Sequence, residues 1–239
     1  MKKLVIVLCL FLTFGITNVQ AKSENVRLSK WYFRKTGEAK YAFRLKQGAK
    51  VRVSWEIKDH NKKAKAWLYG VDAKAYPLKG HYYKNYYGKH VYRAYVYLKA
   101  GHYALKFKHD KGEGKNIAFK IRPFYVYETL KGYDNTPKHA HKLVFSKRYD
   151  GLLGANDHTD LYTVTLKKKT RIKLDYYFAT KSTYYITVDH MDRTILFEPQ
   201  KDDTPYHTFP KGHYLIEIVL QHGRRTYGGA IYHFTLSKA

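Results

Sequence analysis

Apolar and polar residues alternate along most of this chain with a period of two. In one early segment, Tyr41, Phe43 and Leu45 fall on one side while Ala42 and Arg44 fall on the other. Alternation of this kind is typical of antiparallel strands with one buried face. Glycines separate the alternating runs, as turns between strands require, and no long segment has the period of an amphipathic helix. The pattern therefore predicts an all-β fold.

The strand pattern occurs twice along the chain. The matching blocks are 41–45 and 51–55 in the first half, and 162–166 and 172–176 in the second. Both halves then share a Gly-His-Tyr turn, at Gly101–Tyr103 and Gly212–Tyr214. Units of this length exceed the repeats of a solenoid, and about 95 residues with some eight short strands fit a two-sheet sandwich. We predict two tandem antiparallel β-sandwich domains, residues 22–125 and 143–239, with a linker at 126–142.

The first 21 residues have the features of a secretory signal peptide. Lys2 and Lys3 precede an apolar run from Leu4 to Ile16, and Ala21 ends a segment suited to a signal peptidase. The run is shorter than the roughly 20 residues of a membrane-spanning helix. We therefore expect cleavage after Ala21, no transmembrane segment in the mature chain, and a secreted protein, with retention at the cell wall left open.

Cysteine use agrees with that compartment and excludes several kinds of chemistry. The one cysteine, Cys9, lies inside the predicted signal peptide, where the bulky Leu8 before it disfavours lipidation. The mature chain would then contain no disulfide, no thiolate metal site and no cysteine nucleophile.

Charge separates the two halves. The 239 residues include 45 Lys and Arg against 19 Asp and Glu, which gives a net charge of +26. Residues 22–125 hold 26 basic and 7 acidic residues, whereas residues 143–239 hold 14 and 10. An excess of one sign destabilises a compact domain by self-repulsion unless counter-anions offset it. The first domain is therefore expected to bind a polyanion.

The densest cation-rich and tyrosine-rich segment is 79–99. If Tyr92, Ala94, Val96 and Leu98 face the core, the residues between them face water beside a Tyr-rich loop. Tyr offers a rigid apolar plane with a polar tip, and Lys or Arg offers charge, so sugar rings and acidic groups could be held together. The predicted polyanion-binding residues are Lys84, Lys89, Arg93, Lys99, Tyr86, Tyr95 and Tyr97. The alternative is a hairpin whose tyrosines only cover the sandwich.

Other polar clusters carry weaker signals. Lys58–Lys65 is typical of a solvated hairpin tip, and Lys167–Lys169 of a solvated turn. His139 and His141 have no third ligand nearby in sequence, so we expect no transition-metal site there. Asp150, Asn156, Asp157 and Asp160 could offer oxygen ligands to calcium, but Asx turns that begin a strand are the favoured explanation, because Asp and Asn readily bond local backbone.

Part of the second half resembles a known family. The segment Asp157–Leu166, the strand at Ile172 and the block Phe209–Ile218 are similar to the bacterial pre-peptidase C-terminal domain, with its Asp-x-Asp-x-Tyr opening strand and Gly-x-Tyr hairpin. The first half shares the pattern but has Lys40 where an Asp is usual. The resemblance implies a jelly-roll-like β-sandwich of secreted bacterial proteins, often appended to peptidases and in some members binding collagen, other polymers or calcium.

Two functions remain open, and neither is enzymatic, because no nucleophile elbow, metalloprotease helix or phosphate-binding glycine loop is present. The first is a non-catalytic protein that binds anionic polymers of the cell envelope, matrix or host, such as teichoic acid or acidic glycans. The second is an interaction module that inhibits or assists another secreted protein. We expect no cofactor. Nucleic acid could use the same stacking planes and charges, but export disfavours it.

Overall fold

The computed structural model describes residues 23–37, 39–57, 64–70, 75–84, 90–109, 115–129, 136–155, 157–179, 184–190, 193–197, 206–220 and 229–239. These residues form two tandem all-β domains, which confirms the predicted fold class. The predicted signal peptide lies outside the described residues. No helix in the described ranges is long and apolar enough to cross a membrane.

Ten strands build the described part of the first domain. They are β1 (Ser23–Asn25), β2 (Trp31–Lys35), β3 (Lys40–Leu45), β4 (Ala49–Ile57), β5 (Ala64–Tyr69), β6 (Tyr76–Leu78), β7 (His81–Lys84), β8 (His90–Leu98), β9 (Gly101–His109) and β10 (Asn116–Tyr125). Sheet I has the order β1-β3-β9-β5-β6, and sheet II the order β2-β10-β4-β8-β7. Only the β1–β3 pair among them is parallel.

The second domain has nine strands in its described part. They are β11 (His141–Lys142), β12 (Arg148–Leu153), β13 (Thr159–Leu166), β14 (Thr170–Ala179), β15 (Tyr184–His190), β16 (Arg193–Phe197), β17 (Tyr206–Phe209), β18 (Gly212–Leu220) and β19 (Ala230–Lys238). Sheet III has the order β11-β13-β18-β15-β16, and sheet IV the order β12-β19-β14-β17. A 3-10 turn, Pro137–His139, precedes β11.

Each pair of sheets encloses an aromatic core. In the first domain the ring of Phe119 lies 4.6 Å from that of Tyr41 and 4.9 Å from that of Phe107, measured between centroids. In the second, Tyr162 and Phe234 lie 4.9 Å apart in an edge-to-face arrangement. Such geometries add to the free energy gained by burying the rings. The alternating inward residues of the sequence therefore form two cores, one per domain.

Strand pairing confirms the internal repeat. Tyr41 of β3 lies opposite Leu105 of β9, and Tyr162 of β13 lies opposite Ile216 of β18. The alternation also places the residues at 103, 105 and 107, and at 214, 216 and 218, on the inward side of their strands, where all six side chains are buried.

The strand count was underestimated, since about eight per domain were expected. The additional strands are short edge pieces such as β1 and β6, with three residues each. Three residues are too few to leave an alternation pattern in the sequence. Strand β11 lies within the predicted linker and pairs in parallel with β13 of the second domain.

The shared Gly-His-Tyr segment owes its recurrence to its tyrosine. The Tyr103 hydroxyl donates a hydrogen bond of 2.9 Å to the carbonyl of Lys99, and Tyr214 donates one of 2.8 Å to the carbonyl of Pro210. In each domain the hydroxyl closes the turn that begins four residues earlier. Gly101 leaves little room beside this hydroxyl, which lies 3.2 Å from the position a Cβ would take.

Candidate polyanion-binding surface

The outer surface of sheet II carries the residues that alternate with the core positions of its strands. Their register brings cations and rings from four strands onto one face. The outward cations are Lys35, Lys50, Arg52, Arg93, Lys120 and Arg122, and the outward rings are Trp31, Phe33, Tyr95, Tyr97 and Phe124. We call these eleven residues the cationic face. Glu56 is the one acidic residue among the described outward positions of these strands.

Several cations of this face lie on aromatic rings. The Lys50 ammonium is 5.1 Å from the ring centroid of Tyr95 and 5.5 Å from that of Tyr97. The guanidinium groups of Arg52 and Arg122 lie 5.5 and 5.1 Å from the centroid of Phe124. Cation–π contacts at this distance are attractive, and they leave each positive charge without neutralisation.

Two rings of the edge strand β2 remain open to solvent. Phe33 is 70% exposed and Trp31 is 44% exposed. Trp31 lies directly opposite Lys120 of β10, so an aromatic plane and an ammonium group are cross-strand neighbours. This pair could hold a ring and an acidic substituent of the same ligand.

The arrangement of arginines in the centre of the face is unfavourable for the isolated protein. Arg52 and Arg122 lie directly opposite each other on β4 and β10, and like charges in such positions are destabilising. The Nε of Arg52 is also buried without a hydrogen-bond acceptor among the described residues, whereas buried polar groups are usually paired. An anion bound between the two guanidinium groups would offset the repulsion.

The corresponding surface of the second domain is partly neutralised by its own carboxylates, although Arg171 and Lys173 also lie on the ring of Tyr206. Lys173, at the position of Arg52, forms an ion pair of 2.7 Å with Asp175. Arg148, at the position of Trp31, forms an ion pair of 2.7 Å with Asp150, at the position of Phe33. The two domains therefore share a fold and differ in the charge of this face.

The predicted site residues have different locations. Arg93, Tyr95 and Tyr97 face outward as expected, because Ala94, Val96 and Leu98 between them are buried. Tyr95 is 44% exposed, while the Tyr97 ring packs on Gly229 of the second domain. Tyr86, Lys89 and the side chain of Lys84 lie outside the described residues.

Lys99 has a structural environment at the junction of the domains. Its ammonium lies 2.8 Å from Glu128, 2.9 Å from Asp157 and 3.4 Å from Asp160. Burial alone would disfavour the charged form, but the three carboxylates outweigh burial and raise the pKa of Lys99 above its usual value. Because these carboxylates already pair with the ammonium, Lys99 is not part of the cationic face.

The same junction explains the acidic cluster of the sequence. Asp160 is almost fully buried and accepts a hydrogen bond from the Tyr232 hydroxyl, which lies 2.6 Å from that of Tyr162. Burial and the charge of Asp160 raise the pKa of Tyr232 well above its usual value. A lysine ammonium therefore provides the positive charge beside Asp157 and Asp160, where calcium was considered.

Sequence reasoning missed most of the cationic face. Lys50, Arg52, Lys120 and Arg122 alternate with core residues on strands that were recognised, so their outward direction was readable. What the sequence did not provide was the order of strands in the sheet, which places β10 and β4 side by side. Trp31 and Phe33 lie on β2, a strand that was not predicted.

Comparisons with known proteins add no functional assignment. No family model matches the chain, and no curated protein matches it. Among solved structures, the CUB1-EGF-CUB2 domain of human MASP-1/3 is similar over 89% of this chain and 94% of that chain, with 10% identity and a TM-score of 0.24. A similarity of that size carries no argument about function. The resemblance to pre-peptidase C-terminal domains stays a prediction.

Proposed function

We propose that this protein is a secreted, non-catalytic binding protein whose first domain holds acidic polymers of the cell envelope, matrix or host on the cationic face. The observation that carries the proposal is the contrast between equivalent surfaces. On sheet IV, Arg148 and Lys173 pair with Asp150 and Asp175, although Arg171 and Lys173 also lie on the ring of Tyr206. On sheet II, Glu56 is the one acidic residue among the described outward positions, and Lys50, Arg52 and Arg122 lie on aromatic rings.

The mixture of groups on the face favours acidic glycans over teichoic acid. Guanidinium groups such as those of Arg52 and Arg122 match the geometry of carboxylate and sulfate groups. Exposed aromatic planes such as Trp31 and Phe33 suit ligands that contain rings. A glycan with sulfate or carboxylate groups satisfies both requirements, while a polyol-phosphate chain satisfies only the first.

Heparin, a sulfated glycan, tests the proposal with the full mature chain. Replacing Lys50, Lys120 and Arg122 together by Ser should weaken heparin binding at the cationic face by about tenfold or more, because each lost cation removes a source of counterion release. For the same reason, the slope of log affinity against log salt should fall by roughly one for each lost contact. Binding would be measured by calorimetry at several NaCl concentrations.

Two further variants complete this experiment. Replacing Lys167, Lys168 and Lys169 by Ser removes the same charge from an exposed turn of the second domain, and it should leave affinity nearly unchanged. Replacing Trp31 and Phe33 by Ser should weaken binding without changing the salt slope, because stacking is not ionic. An equal loss of affinity in the turn variant and the cationic-face variant would contradict the proposal, since it would show dependence on net charge alone.

The second candidate function is an interface with another secreted protein. It is favoured by exposed aromatic residues near the end of β10, where Tyr125 is half-exposed and Tyr127 largely exposed. A protein interface anchored by such residues would depend on tyrosine and less on salt. Replacing Tyr125 and Tyr127 by Ser should therefore leave heparin binding intact.

A further inference from the structure

A second basic surface covers the opposite side of the first domain. The outward side chains of sheet I alternate with its core residues, as they do on sheet II. The outward cations of its described strands are Lys40, Arg44, Lys65, Lys106 and Lys108, and Trp67 and Tyr69 lie among them. We call these seven residues the second basic face. The described outward positions of β3, β5 and β9 include no acidic residue.

The second basic face repeats three features of the cationic face. Lys40 lies 4.2 Å from the ring centroid of Tyr69, and Lys108 lies 5.8 Å from that of Trp67. Lys65 and Lys108 lie directly opposite each other on β5 and β9, so two lysines are cross-strand neighbours on this face. The indole Nε1 of Trp67 is buried and has no acceptor among the described residues.

The equivalent surface of the second domain has the opposite character. Strand register places Glu217 at the position of Lys106, Thr187 at that of Trp67 and Asp189 at that of Tyr69. A solvated outer face of this fold therefore does not require cations beside rings. Cations beside aromatic rings occur on both outer faces of the first domain but not on the described part of the equivalent face, sheet III, of the second domain. This difference requires an explanation other than solvation.

We propose that the first domain is bivalent and cross-links acidic glycans, with one glycan chain bound to each outer face. This inference rests on the proposed function of the cationic face and extends it to a second site. The two sheets of a sandwich pack about 10 Å apart, and their side chains point in opposite directions, so a short oligosaccharide cannot contact both faces. A long polymer bound by one face leaves the other free for a second polymer.

Stoichiometry with a short sulfated probe tests bivalence in the full mature chain. Native mass spectrometry with a heparin tetrasaccharide should show two molecules bound per wild-type chain. Replacing Arg44, Lys106 and Lys108 by Ser should reduce this number to one, and replacing Lys50, Lys120 and Arg122 by Ser should also reduce it to one. Both triple variants should lose the aggregation of heparin-coated beads, while the Lys167, Lys168 and Lys169 variant should retain it.

The outcomes separate the two proposals. One tetrasaccharide per wild-type chain, lost only in the cationic-face variant, would overturn bivalence and leave the proposed function intact. If the wild type binds one tetrasaccharide and only the second-face variant fails to bind it, both the bivalence and the proposed role of the cationic face would be overturned. Tighter binding of a thymidine tetranucleotide than of the heparin tetrasaccharide would overturn the glycan as the ligand, since single-stranded nucleic acid also uses cations and stacking planes. Circular dichroism of each variant checks that the fold is retained.

Discussion

At the scale of single residues, the ionisation of Glu217, on the acidic surface of sheet III, affects the stability of the folded protein. Burial, together with the nearby charge of Asp189, raises the pKa of Glu217, while a hydrogen bond of 3.5 Å from Thr187 acts in the other direction. A carboxyl group whose pKa is raised by folding binds its proton more tightly in the folded state. It therefore favours folding in acid, and this contribution is lost as the pH rises from the ordinary glutamate range through the raised value.

Replacing Glu217 by Gln should therefore raise the melting temperature at neutral pH, because the amide carries no charge and can still accept the hydrogen bond from Thr187. The difference from the wild type should vanish at a pH below the ordinary glutamate range, where Glu217 is protonated in both states. Thermal unfolding followed by circular dichroism at several pH values measures this. Asp175 provides the control, because it pairs with Lys173, and Asp175→Asn should give no gain at neutral pH. A lower melting temperature of Glu217→Gln at neutral pH would refute the argument.

At the scale of secondary-structure elements, a substitution in the cross-strand pair of Arg52 and Arg122 should affect ligand binding and stability in opposite directions. Arg122→Glu would replace a like-charge pair on β4 and β10 with an opposite-charge pair, which is worth roughly 0.2–1 kcal/mol. Arg52 would keep its own contact with Phe124. We expect the variant to be slightly more stable in urea denaturation and to bind heparin much more weakly. Lys167→Glu, in an exposed turn, should change neither property appreciably. Reduced stability together with unchanged heparin binding would show that Arg122 has only a structural role.

The strands themselves were largely predictable, because the two-residue period directly reflects which side of a sheet is buried. Even the repeat extends further than the sequence reading found. Ser29 and Ser146 each have a positive φ, 65° and 61°, and each backbone N–H donates to the last long strand of its domain, at Ile121 and Leu236. Both serines belong to a Ser-Lys-x-Tyr segment, a signal that was available. The order of strands was not, since pairing between distant segments depends on packing of the whole domain.

At the scale of the whole molecule, the junction shows what charge counting along the sequence does not reveal about a single lysine. Lys99 was one of many cations in a basic domain, and only the three-dimensional structure brings Glu128, Asp157 and Asp160 around it. The backbone N–H of Ala155 also donates to the carbonyl of Tyr97, at 3.0 Å. Contacts of this kind connect the end of β8 to the second domain and are invisible in a linear pattern.

The three carboxylates at this junction make its stability depend on the Lys99 ammonium. Lys99→Met would leave three carboxylates close together without a counter-charge, and breaking a buried ion pair in this way costs about 3–5 kcal/mol. Because the lost interaction lies between the domains, calorimetry should show a single unfolding transition for the wild type and two separate transitions for the variant. Lowering the pH should reduce the difference in stability between Lys99→Met and the wild type, since protonated carboxyl groups no longer repel one another.

Lys50→Met makes the same chemical change on the cationic face, and it should keep the single transition while weakening heparin binding. Conversely, Lys99→Met should bind heparin through an unaltered cationic face, because the Lys99 ammonium already pairs with protein carboxylates. A single unshifted transition in Lys99→Met would show that the domains are held together by other contacts. Loss of heparin binding in Lys99→Met, with both domains still folded, would show that Lys99 contributes to the binding surface.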